Sequence, residues 1–476
     1  MRVIVFGTGV FYKNRANSFS GAQIIGFVDN DKAKWNSEFS NSMVHNPEWI
    51  KSQEYDYLCV MVKRGVEEIY LQLEEMGINR DKILSYEAFL NLKKYNYVTH
   101  YYSYGVRTEE KNHGPRILLM IHELSLSGAP MVMYYLAQML ISKGYRVSFF
   151  SFRDGGLKEI LISEGIDVFI QPDVTTKSSY FMNWLKEFDK IIVCTLLYGD
   201  FIKCVKDENL PIIWWLHESE EVYRSWWEKK NPGCLSNSIR VYNGGVRALN
   251  TYKKYFETDK GEVLLYGIPE LNPLKIKKQD DKNKFVFAVV ATLQPRKGQD
   301  IFTEAVLRLS EKEKEDVEFW IIGGDPGYYK EMVEKVNADV ENDNHLKIYG
   351  GWSREKLNSE YRNIDVLVCP SRDDPLPVVV PEAMSFYIPC IVSTGCGTSY
   401  YIKDMENGII CEPTVESVCE KLKWTINNKE KLSKIGECGR ELYENEFSLK
   451  ALERNIGRIF SEMDNSKSDY IKEGKI

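Results

Sequence analysis

The stretch from Val366 to Glu382, VLVCPSRDDPLPVVVPE, constrains the fold more than any other part of the chain. An apolar run closes at Pro370, an acidic turn carries Asp373 and Asp374, and a second apolar segment ends on Glu382. The pattern is a buried strand, a loop and a buried helix start, with two acids, Asp374 and Glu382, eight residues apart and facing one place. Gly and Pro punctuation on either side sets the loop at the carboxyl end of a sheet strand, where open α/β sheets take their ligands.

Strand, loop and helix alternate through the rest of the chain, and 476 residues are too many for one core, so the sequence predicts two or three α/β units. Residues 1–95 read as a small Rossmann-like domain, with strands in RVIVFGTG, IIGFVDND and YDYLCVMV. Gly7, Gly9 and Asp29 sit where a dinucleotide fingerprint would put them, but Tyr12 stands in place of the third glycine. A structural or docking role, including self-association, is therefore preferred over cofactor binding. The unit resembles the small nucleotide-binding-like domains that open several bacterial polysaccharide-biosynthesis proteins. The triplet Asp29-Asn30-Asp31 has the spacing of a divalent-metal motif, yet acids closing a Rossmann strand are common for turn reasons, and that reading is preferred.

Residues 96–112 are tyrosine-rich, polar and without periodicity, and read as a linker. A second unit, 113–275, opens with RILLMIHEL, the glycine loop SLSGAP and the amphipathic helix MVMYYLAQMLISKG. That order gathers backbone N–H groups and a helix amino end near Gly128, a site suited to an anion, although a glycine there also serves simply to turn the chain. His217 and Glu218 close a later strand, PIIWWLHE, at its carboxyl edge. Tyr223, Trp226 and Trp227 lie among cations between Glu220 and Pro232, and read as a core face in preference to a membrane-facing one.

Polar residues from Leu271 to Asn283 read as a hinge. A third unit, 276–445, begins with KFVFAVVATLQPRKGQD, whose Arg296, Lys297 and Gly298 place two cations beside a helix amino end, an arrangement that suits a diphosphate. Residues 446–464 are predicted to form a terminal helix, and 465–476 a disordered charged tail.

Composition excludes several alternatives. A net charge of −7 argues against a general nucleic-acid binder. The ten cysteines contain no C-x-x-C pair and fall mostly inside apolar runs, as expected of buried thiols in a reducing compartment. The six histidines show no metal-ligand spacing. The longest apolar helical stretch, Met131 to Ile141, is roughly half of a membrane span. With no signal peptide ahead of the first strand, the expectation is a cytoplasmic protein, with peripheral contact at the inner membrane face left open.

From about residue 116 to 460 the motifs SGAP, HE at 217 and 218, PRKG at 295 to 298, IIGGD, IYGGWS and PSRDDPLPVVVPEA occur in one order. In that order they resemble the retaining glycosyltransferases of family 4, built on two facing Rossmann-like domains, the glycosyltransferase B fold. The resemblance implies transfer of a sugar from a nucleotide diphosphate sugar to a glycan or lipid-linked acceptor in surface-polysaccharide assembly. It implies no divalent ion or other cofactor, and a terminal helix that packs back on the 113–275 unit.

Residue by residue, the resemblance implies that Glu382 holds the donor ribose and Asp374 the donor sugar. Arg296 and Lys297 would neutralise the diphosphate, helped by the amides near Gly128. His217 would lie near the anomeric carbon, and the backbone from Gly350 to Trp352 would line the base pocket. Asp374 departs from the family's usual Glu, shortening its reach by roughly 1.5 Å. Thr292 stands where many members have an arginine. The alternatives are an inactive binding or chaperone subunit, or a sugar-nucleotide epimerase of the same fold.

Overall fold

The computed structural model describes residues 1–62, 65–79, 82–95, 114–170, 182, 184–272 and 284–472. Three sheets organise them. The first runs Glu38–Phe39, Ser42–His45, Gln23–Val28, Arg2–Phe6, Tyr57–Val60, Ile83–Ser85 across its width. Its pairings are parallel except for the short hairpin at Glu38–Phe39. The second runs Glu262–Val263, Ile239–Asn243, Ile212–Leu216, Lys190–Cys194, Arg116–Ile121, Arg146–Ser151, Asp167–Ile170, all parallel. The third runs Leu346–Ile348, Val317–Ile322, Phe285–Val290, Val366–Cys369, Cys390–Ser393, Ile409–Cys411, again all parallel.

The central strands are continuous apolar runs because helices cover both faces of the sheet. Ile191 to Val193, Ile212 to Leu216 and Val366 to Leu367 are all fully buried. In the second sheet the strand order reverses between Lys190–Cys194 and Arg116–Ile121, and in the third between Phe285–Val290 and Val366–Cys369. Loops that leave the carboxyl ends at such a reversal diverge and open a crevice. The PRKG loop and the Asp373-Asp374 loop leave from the two sides of the reversal in the third sheet.

The linker 96–112 lies outside the described residues, as does the hinge from residue 273 onward. The terminal helix runs Leu449–Lys472, so the charged segment expected to be disordered from 465 instead continues that helix to 472. Its face docks on the second sheet's unit. Phe460 meets Tyr145 edge-on at 5.7 Å, Lys190 reaches Asp464 at 2.7 Å, and Arg240 reaches Glu462 at 3.3 Å. Beside it the chain crosses twice between the two larger units, and the crossings are zipped together: Ile268 N–H donates to Phe447 O at 2.9 Å and Leu449 N–H to Ile268 O at 3.1 Å. Arg440, almost wholly buried there, pairs with Glu270 and Glu444 and donates to Ser385 O.

In the helix Glu220–Lys230, Tyr223 is core and Trp227 packs on Phe256, while Trp226 faces outward. Among the described residues no helix is long and apolar enough to cross a membrane.

Candidate active site

A cavity of about 860 Å³ lies between the second and third sheets and is lined from both sides by residues that follow their strands. His122, Thr195, His217 and Gly244 contribute from one side, and Thr292, Gly323, Ser371 and Asp374 from the other.

Arg296 and Lys297 stand on the third-sheet wall. Their loop is fixed by Gly298, whose φ is +75°; a Cβ there would come within 2.3 Å of Pro370 O, so the PRKG turn lies directly against the end of Val366–Cys369. Arg372 N–H donates to Arg296 O at 2.7 Å and ties the acidic loop to the same turn. Lys297 forms an ion pair with the buried Asp374. Arg296 donates to Gln294 Oε1 at 2.9 Å and to Asp373 O at 3.3 Å. Thr292, in the arginine's usual place, lines the cavity and its carbonyl accepts from Gln299 Nε2 at 3.0 Å.

Facing them is the amino end of the helix Gly128–Ser142. Ser127 precedes it without capping it, its hydroxyl bonding Ser125 at 2.8 Å instead. Pro130 has no N–H and Met131 N–H donates to Ser127 O at 3.1 Å, so the N–H groups of Gly128 and Ala129 are the ones left for an incoming acceptor. Gly128 is open: a Cβ would meet nothing nearer than Val378 Cγ2 at 3.6 Å. The two cations and this helix end flank one cavity.

His217 follows the strand Ile212–Leu216. Burial pushes its imidazole down to about 3, so the ring is neutral at ordinary pH, and its buried Nε2 has no partner among the described residues. Glu218 beneath it is structural: its carboxylate accepts from Leu196 N–H at 2.7 Å and His217 N–H at 2.9 Å. This clamp holds Thr195 at φ +96°, a strained conformation for a β-branched residue, at the cavity wall.

Two of the expected site residues stand behind the wall. Glu382, at the start of the helix Val379–Ser385, is 0% exposed; Arg354 covers one carboxylate oxygen and Tyr361 donates to the other at 2.7 Å. Gly350 is a turn residue at φ +65° whose carbonyl accepts from Gly323 N–H at 2.8 Å, while Gly351 and Trp352 line the cavity. His217, Arg296, Lys297, Asp374, Gly128 and Trp352 all share the cavity.

Contacts across the cleft are absent from the sequence reading. Arg247 pairs with Asp373 at 3.0 Å, Val246 N–H donates to Tyr401 Oη at 3.3 Å, and Tyr266 Oη–H to Leu376 O at 3.0 Å. Arg354 also reaches Tyr135 Oη at 3.4 Å, on the helix Gly128–Ser142. Ser353 capping the next helix was the one local signal near Arg354, and it reads only as a helix start.

The Asp29-Asn30-Asp31 triplet is taken up by hydrogen bonds within the unit, Asn30 exchanging two with Gln72 at 2.8 and 3.0 Å. Asp29 accepts from Thr8, Asp31 N–H and Lys34, and Asp31 caps Ala33 N–H at 3.1 Å. Among the described residues no group of three or more His, Cys, Asp or Glu is placed to hold a metal ion.

Residues 272–442 match the family described as glycosyl transferases group 1, residues 113–230 match glycosyl-transferase family 4, and residues 1–84 match the C2185-like N-terminal family. An Escherichia coli UDP-Gal:α-D-GlcNAc-diphosphoundecaprenol α-1,3-galactosyltransferase is 30% identical over 207 residues, covering 41% of this chain and 52% of that protein. The chain spans about half or less of the length of the curated relatives it matches. Anabaena HepE, solved with UDP and glucose, superposes with a TM-score of 0.61 at 16% identity, over 73% of this chain and 100% of that one. Sucrose-phosphate synthase from Thermosynechococcus elongatus superposes with a TM-score of 0.58 at 15% identity, over 74% of this chain and 100% of that one. Residues 113–230 and 272–442 thus match glycosyl transferase families, and the likeness to solved structures shows the two facing Rossmann-like units of the glycosyltransferase B fold, behind a unit that matches the C2185-like N-terminal family.

Proposed function

We propose that the protein transfers a glycosyl group from a nucleoside diphosphate sugar to a glycan or lipid-linked glycan acceptor in surface-polysaccharide assembly, on the cytoplasmic side, with retention at the anomeric carbon and without a metal. The observation that carries this reading is Lys297 and Arg296 facing the uncapped helix end at Gly128 across one cavity. Breaking the bond between the anomeric carbon and the phosphate oxygen builds negative charge on the diphosphate and positive charge on the sugar. Two cations and a set of free amides, fixed before the reaction, stabilise that developing anion without a metal ion.

On this reading Lys297 shares its charge between Asp374 and the diphosphate, while Asp374 orients the sugar hydroxyls. The acceptor hydroxyl attacks on the face the diphosphate leaves, and its proton passes to the departing phosphate oxygen. Neutral His217 offers a hydrogen-bonding edge beside that carbon and takes no part as an acid at ordinary pH. Glu382 takes the ribose hydroxyls once Arg354 has moved. The 1–95 unit serves as a docking or self-association module.

The test is incubation with a panel of nucleotide sugars and lipid-linked glycan acceptors, with and without EDTA. Transfer that persists in EDTA with unchanged anomeric configuration is expected. Loss of all transfer and donor hydrolysis on chelation would remove the metal-free mechanism. Failure of the native protein to bind any nucleoside diphosphate would remove the donor assignment itself.

A further inference from the structure

The one acid placed to hold the donor ribose is already occupied. Glu382 is 0% exposed and does not line the cavity, whereas Arg354, whose side chain is 29% exposed, does. Arg354 covers Glu382 Oε1, and Tyr361, itself fully buried, holds Oε2 from behind at 2.7 Å. No face of the carboxylate is left for a diol. A ribose reaches Oε1 only where the guanidinium now sits.

Beyond its ion pair with Glu382, Arg354 has few ties to the wall. Its Nε is buried without a partner among the described residues, and its second contact is the 3.4 Å approach to Tyr135 Oη. Tyr135 belongs to the helix Gly128–Ser142, on the opposite side of the cleft. The guanidinium therefore bridges the two walls through the atom a nucleotide would claim. An empty cleft keeps the buried carboxylate paired in this way, sparing the cost of a buried charge without a partner.

Resting on the donor assignment above, we propose that Arg354 is a displaceable stand-in for the donor ribose: it occupies Glu382 Oε1 in the empty enzyme and is expelled when the ribose hydroxyls bind. Arg354 thus sets donor affinity against itself. Removing an arginine from the wall of an anion-binding site should tighten binding of an anion, the reverse of what its charge alone predicts.

The experiment is titration of the native protein, Arg354→Gln, Glu382→Gln and the double variant with uridine, adenosine and guanosine diphosphates by calorimetry, with thermal unfolding as the check on folding. Arg354→Gln should bind the preferred diphosphate more tightly, by up to roughly fivefold, the scale of one partly exposed ion pair no longer broken on binding. Glu382→Gln should bind more weakly, and the double variant should lose the gain. A folded Arg354→Gln protein that binds equally or more weakly overturns the proposal while leaving the donor assignment intact. Native protein that binds none of the three diphosphates overturns both. Should Arg354→Gln not fold, a crystal structure of the native protein with the bound diphosphate decides. Ribose hydroxyls on Glu382 with Arg354 turned away support the proposal; Arg354 still on Glu382 with the nucleotide in place overturns it.

Discussion

Gly244→Ala tests the position of His217 without altering its chemistry. Gly244 ends the strand beside His217, and its N–H donates to Leu216 O at 2.8 Å. A Cβ built on it would lie 2.4 Å from His217 Nδ1 and 3.0 Å from Cε1. Ordinary contact begins near 3.4 Å, so the ring must move by about 1 Å. His217 lines the cavity, and the ring can shift into it. Overpacking of this kind costs about 1–3 kcal/mol, and the open side should keep the loss of stability near the lower figure.

Catalysis is less forgiving than stability. A displacement of about 1 Å at a positioned group lowers turnover roughly a hundredfold. Gly245→Ala is the matched comparison: its backbone is extended, and its Cβ meets nothing nearer than Leu376 Cδ1 at 3.6 Å. The assay is turnover of the preferred nucleotide sugar, read as transfer and as donor hydrolysis, beside thermal unfolding of both variants. Gly244→Ala should fall by about two orders of magnitude while Gly245→Ala stays near native. A folded Gly244→Ala enzyme with native turnover would refute the placing of His217 at the reacting carbon, and an equal fall in both variants would assign the loss to the loop.

Lys297→Ala should lower turnover by about one to two orders of magnitude, the scale of losing a fixed charge stabiliser, and native turnover in the folded variant would end its role at the diphosphate. His217 should shape the acid limb of stability. Its folded value near 3 lies below its ordinary value near 6.5, so between those limits the unfolded chain binds a proton that the folded one does not. Stability contributed by the neutral ring is therefore full above about pH 6.5 and is lost as pH falls toward 3. Unfolding midpoints across that range should fall more steeply for the native protein than for His217→Gln, and parallel curves would contradict the assignment.

The centres of the sheets were legible and their edges were not. Strands such as Lys190–Cys194, past its opening lysine, and Phe285–Val290 are continuous apolar runs because both faces are covered, and such runs stand out in a sequence. Asp167–Ile170, Ile239–Asn243 and Ile409–Cys411 lie at or toward the edges, are short or mixed in polarity, and gave no comparable signal. The same division runs through the site. Lys297, Arg296 and Asp374 follow strands, so their motifs announce where they stand. Arg354 and Arg247 act through partners far away in sequence, Glu382 and Tyr135 for one and Asp373 for the other, and no local pattern encodes such a pairing. Asp373 read as part of an acidic turn, whereas its partner lies on the opposite wall. Glu382 reads in the sequence as an acid facing the site, whereas in the structure it stands behind the wall under Arg354, which is a property of the assembled cleft alone.

The paired crossings at Ile268 and Ser448 carry a mechanical consequence. Two chain segments bonded side by side act as a double-leaved joint, which allows rotation about its line and resists sliding, because sliding would break the bonds between Ile268, Phe447 and Leu449. Such a joint favours opening and closing of the two walls, like a book, over sliding. Arg440 is seated at the spine of that book, pinned by Glu270, Glu444 and Ser385. Substitutions at the spine should change how readily the cleft opens, while substitutions on the pages change what it holds.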